Sequence, residues 1–140
     1  MARVESNIPE TAAQSLLEQR TNAENFLFRN GVDFGAVSEQ PVWTSDASVA
    51  VWTVSSPLRP GAVGWWVVTG ADVSTDYVSG LEAVDARGAL RALARHLMSV
   101  AGYTHGEPSP FSADELRKSS DDIRRQAAVL LTLADDDRLW

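Results

Sequence analysis

The densest run of chemistry-bearing side chains is Gly64-Trp65-Trp66-Val67-Val68-Thr69-Gly70, followed by Asp72 and Thr75-Asp76-Tyr77. Asp72 and Asp76 bracket a loop with the spacing of a carboxylate pair suited to acid–base work or a divalent cation. A plainer role is open to them as well, because Asp side chains in short turns accept from nearby backbone N–H groups. Adjacent strand residues point to opposite faces, so at most one of Trp65 and Trp66 lies beneath a covering helix unless both faces are covered. A surplus indole with Trp52 and Tyr77 near it is the kind of rigid aromatic that anchors a partner. Trp52, Trp65, Trp66, Asp72, Asp76 and Tyr77 are therefore the candidate binding surface. The alternative is that a terminal segment or the loop before Pro41 covers the indole.

A second constellation lies toward the C-terminus. Arg87, Arg91 and Arg95 recur every four residues and share one helical stripe, where like charges repel. Asp135, Asp136 and Asp137 fall at the carboxyl end of the last predicted helix, where the dipole disfavours negative charge. Pairing the two relieves both, so these six residues form a candidate structural ion-pair network, with solvation of both runs or ligand binding by the arginines as alternatives. Leu139 and Trp140 are too apolar to trail in water, and the indole is expected to dock.

Composition removes whole classes of chemistry. There is no Cys among the 140 residues, hence no thiolate zinc site, thiol nucleophile or dithiol redox pair. His96 and His105 do not make a His-x-x-x-His spacing, and no Gly-rich phosphate loop or nucleophile elbow occurs. No catalytic residue, metal ligand or cofactor is assigned. A net charge of −7 repels nucleic-acid phosphate. Residues 1–11 lack the apolar stretch of a secretory signal, and no later run approaches the ~18 residues of a membrane span, so the expectation is a cytoplasmic protein that engages neither membrane nor nucleic acid.

The elements that must position these side chains follow from periodicity. A helix is predicted from Pro9 to Asn30, with Ala13, Leu16, Leu17, Ala23, Phe26 and Leu27 on its buried face and Gly31 as a left-handed stop. The β-branched and aromatic runs around Val49–Val54 and Val63–Thr69 read as paired strands. A short third strand over Thr75–Ser79 and an edge strand over Pro41–Thr44 complete a meander. Asp85 caps a helix over Ala86–Tyr103, and Ser112 with Glu115 makes a capping box for a last helix ending near Asp136. The prediction is an α+β fold, an antiparallel meander of three to four strands with helices packed on one face, in the order α-β-β-β-α-α. It is expected to form a single domain over residues 1–140, the first eight residues being a flexible terminus.

The runs Gly64–Gly70, Thr75-Asp76-Tyr77 and Ala134-Asp-Asp-Asp-Arg-Leu-Trp140, with a helix ending in Asn30-Gly31-Val32 upstream, resemble a family of small bacterial proteins known only as a domain of unknown function. Ser74 stands where that pattern often has a proline. The resemblance implies no activity and carries over no catalytic residue. The function expected from the residues is a non-catalytic protein-binding module of accessory, regulatory or immunity-inhibitor type, with an unidentified protein partner and room for a homodimer. The alternative is a small enzyme or ligand-binding domain whose pocket between sheet and helices is lined by Trp52, Trp65 or Trp66 and Tyr77, with Asp72, Asp76 or Arg91 as polar groups.

Overall fold

The computed structural model describes residues 10–45, 48–102 and 120–140. The expected capping box at Ser112 and Glu115, the 105–110 connection and the first eight residues lie outside the described residues. The chain divides after Gly80 into two compact units.

In the first unit, helix α1 (Glu10–Arg29) buries Leu16, Gln19, Ala23 and Leu27, which recur at three- and four-residue steps and so share a face. Leu17, expected on that face, is 66% exposed because each residue turns the helix by about 100° and carries it out of the stripe. Beyond Arg29, Gly31 takes φ 70° and the Val32 amide donates to the Leu27 carbonyl at 3.0 Å. This is a left-handed helix stop, and it returns Val32 and Phe34 onto the core beneath the helix.

Four strands follow: β1 (Trp43–Ser45), β2 (Val49–Ser55), β3 (Val63–Gly70) and β4 (Asp76–Ser79). They form an antiparallel meander in the order β1-β2-β3-β4. Where β1 leaves off, residues 35–38 continue along the same edge of β2. The Gly35 amide donates to the Ser55 carbonyl at 2.9 Å and the Ser38 amide to that of Thr53 at 2.8 Å. One face of the sheet carries Ala50, Trp52, Val54 and Val67, which share a core with Leu16, Ala23 and Leu27 of α1. Val49, Val51 and Val68 on the opposite face are buried too, as the two-sided apolar character of these strands requires. Gly70 ends β3 at φ 156°, where a Cβ would overlap the Ser48 carbonyl oxygen, so no larger residue fits.

The second unit holds helices α2 (Ala86–Ala101) and α3 (Ser120–Asp135). The Asp85 carboxylate accepts from the Gly88 amide at 2.7 Å and caps α2. The helices run antiparallel and each reaches the other's carboxyl end. Ser120 of α3 donates its hydroxyl to the Ala101 carbonyl at 3.2 Å, and Arg87 of α2 donates Nε to the Ala134 carbonyl at 2.7 Å. The fold class is α+β in the order α-β-β-β-β-α-α.

Candidate functional site

Trp52 lies inside the first unit and belongs to no surface, being 1% exposed. Its Nε1 donates to Thr69 Oγ1 at 2.9 Å, and that hydroxyl donates to Gln19 Oε1 at 2.6 Å. Gln19 Nε2 in turn donates to Ser15 Oγ at 3.2 Å. A buried indole needs a partner for its N–H, and this relay supplies one while tying α1 to β2 and β3. Gln19 and Thr69 are thus working parts that the aromatic motif alone does not indicate. The signal for Gln19 was its place between Leu16 and Ala23 on the apolar stripe.

Trp66 is also buried, on the sheet face opposite Trp65. The two aspartates part company: Asp72 is exposed, whereas Asp76 is buried and accepts from the Tyr77 amide at 2.8 Å. They do not present a shared carboxylate pair. Among the described residues no group of three or more His, Cys, Asp or Glu could hold a metal ion.

Trp65 and Tyr77 remain at the rim of the α1 core, each partly buried. Trp65 pairs with Ser79 and Val67 with Tyr77, so the two aromatics are diagonal neighbours on one sheet face. Phe26 of α1 meets the Tyr77 ring edge-on, with centroids 5.9 Å apart and planes at 68°. Val32 and Phe34 border the same core. The result is a partly buried aromatic rim held by a strand pair, a helix and its stop. Phe26 and Phe34, absent from the predicted set, belong to it: Phe26 projects from α1 onto Tyr77, and the chain reversal at Gly31 returns Phe34 onto the core.

An open groove of about 330 Å³ also indents this unit, lined by Ala36, Ser38, Glu39, Thr53, Ser55 and Ala62 among others. None of Trp52, Trp65, Trp66 or Tyr77 lines it.

In the second unit the arginine stripe meets the aspartate run in part. Arg87 pairs through Nη2 with Asp137, and Arg91 Nη2 donates to Asp135 Oδ1 at 3.2 Å. Asp136 turns instead to Arg138, with ion-pair atoms 2.9 Å apart, and accepts the Arg138 amide as cap of a short 3₁₀ turn over Asp137–Leu139. The Arg138 side-chain hydrogen bond holds the Asp136 carboxyl below its ordinary pKa, with its backbone amide and charge adding to the effect, and Asp136 raises that of Arg138. Arg95 joins no ion pair among the described residues, because it lies farther along α2 than Arg87 and Arg91, away from the aspartates at the carboxyl end of α3. The Trp140 indole docks here, donating Nε1 to the Leu133 carbonyl at 3.1 Å beneath the Arg87 guanidinium, 5.8 Å from its ring centroid. The Asp-Asp-Asp-Arg-Leu-Trp run is therefore a clasp that satisfies the last carbonyls of α3.

No helix among the described residues is long and apolar enough to cross a membrane. Neither the curated proteins nor the solved structures contain a match to the chain. A family model does match, over residues 11–140, spanning α1, the sheet and the C-terminal clasp. The chain accordingly belongs to the family described as a domain of unknown function, DUF4826.

Proposed function

We propose that this chain is a non-catalytic protein-binding module of the bacterial cytoplasm, of accessory, regulatory or immunity-inhibitor type, and that it meets its partner through the aromatic rim around Trp65 and Tyr77. The observation that carries this reading is the half-burial of those two side chains against a rigid core. A ring fixed on one side and open on the other adds contact area to a partner with little loss of conformational entropy, which is how binding hot spots are built. Phe28, 80% exposed near the end of α1, and Leu17 add apolar surface to the same unit. The net charge of −7 favours a basic protein partner and disfavours nucleic acid.

Trp65→Ala tests the reading. Wild type and variant are used as bait in the native cell and the captured proteins are quantified by mass spectrometry. A reproducible protein partner of the wild type is expected to fall by about tenfold or more, the cost of losing one hot-spot aromatic. Equal recovery by a folded variant contradicts the assignment.

A further inference from the structure

The second unit carries an outward face that the clasp does not use. On α2, Arg91, Arg95 and Met98 follow one another at four- and three-residue steps, and on α3 Arg124, Ala128 and Leu131 do the same, so each set forms one stripe. The cross-links at both ends of the hairpin place the stripes on the same side. Arg91 reaches Asp135 beyond Leu131, and Arg124 Nη2 donates to the Ala101 carbonyl at 3.5 Å, beyond Met98. Met98 is 46% and Leu131 38% exposed, and Ala128 is exposed between the flanking guanidinium groups. Among the described residues, the acids of this face are Asp121 and Asp135, which stand at the ends of α3 and already face Arg124 and Arg91. Arg95, near the centre, makes no ion pair among the described residues. In a chain of net charge −7, this face therefore presents an apolar seam edged by arginines.

We infer that this face binds an acidic amphipathic helix of another protein, its apolar side laid along Met98, Ala128 and Leu131 and its carboxylates meeting Arg95, Arg91 and Arg124. A parallel-sided pair of helical stripes is the groove into which a third helix packs, and guanidinium forks suit carboxylates. A second copy of this chain fits poorly, since a two-fold contact through the same face sets arginines against arginines. Nucleic acid fits poorly too, because useful phosphate affinity draws on many cationic contacts and three arginines on an acidic protein supply few. The site is separate from the aromatic rim, and neither assignment depends on the other.

The probe is a synthetic helical peptide of about five turns with Leu at heptad core positions and Glu elsewhere, matched by one with Lys in place of Glu. Fluorescence anisotropy on the full chain is expected to show the Glu peptide binding at least about tenfold more tightly than the Lys peptide, with affinity falling as salt rises. Arg95→Glu, on an exposed position that leaves the fold intact, is expected to weaken the Glu peptide by about tenfold, and Leu131→Asp likewise, while Trp65→Ala leaves it unchanged. The inference is overturned by equal binding of the two peptides, by an Arg95→Glu variant of wild-type affinity, or by tighter binding of duplex DNA or phosphatidylserine vesicles at this face.

Discussion

Trp52→Ala is expected to lower the free energy of unfolding by about 3–5 kcal/mol, the range for removing a fully buried aromatic side chain from a core. Two losses add in this case. The indole leaves a cavity in the core that α1 shares with the sheet. Its departure also strips Thr69 Oγ1 of a donor, although the Thr69 to Gln19 bond survives. Trp52→Phe separates the two effects. It keeps most of the ring volume and removes the N–H, so its cost should be about 1–3 kcal/mol, the penalty of an imperfectly paired buried polar group. Urea denaturation followed by far-ultraviolet circular dichroism measures both. A Trp52→Ala chain within about 1 kcal/mol of wild type, far below any core truncation of this size, would mean that the indole is not the keystone between α1 and β2.

Arg87→Ala carries the second largest expected effect, about 2 kcal/mol, drawn mostly from the charged hydrogen bond to a helix-terminal carbonyl. The Arg87 side chain is 26% exposed and serves three partners at once: the Ala134 carbonyl, the Asp137 carboxylate and the Trp140 ring. Asp137 is 88% exposed, so that ion pair alone contributes little, and the carbonyl is the partner that matters. Arg87→Lys therefore recovers only part of the loss, because an ammonium group cannot reach carbonyl and carboxylate together as a fork does. Arg95→Ala, on the same stripe without an ion pair among the described residues, is expected to change stability by less than about 0.5 kcal/mol. Thermal unfolding at low and high salt ranks the three variants. An Arg95→Ala loss as large as that of Arg87→Ala would contradict the clasp, since spacing alone would then explain the stripe.

Much of the architecture was legible in the chain. The β-branched runs at Val49 and Val63, the cap at Asp85 and the stop at Gly31 each rest on local chemistry, and local chemistry fixes strands, caps and stops. What was not legible depends on which element lies over which face. Trp65 and Trp66 differ by one position, and strand alternation separates their faces. Only the placement of α1 over the Ala50–Trp52–Val54 side shows that Trp65 sits at the margin of that core. Asp72 and Asp76 have the spacing of a pair, yet β4 begins at Asp76 and buries it. Arg95 has the periodicity of Arg87 and Arg91, but the antiparallel packing sets the aspartates at the carboxyl end of α3 against the first turns of α2 only. Leu17 sits beside Leu16 in sequence and a full quadrant away on the helix surface. Register, helix length and which face is covered are tertiary quantities, and the candidate site was misread only where these decide.

In the proposed function, Trp65 and Tyr77 face a protein. A photoreactive phenylalanine analogue placed at residue 65, and separately at residue 77, reports this directly when the full chain is irradiated in its native cell. A discrete adduct with one and the same protein is predicted from both positions, with none from the analogue at the buried position 52. No protein adduct from either rim position, in a chain that folds and accumulates normally, would contradict the proposed function.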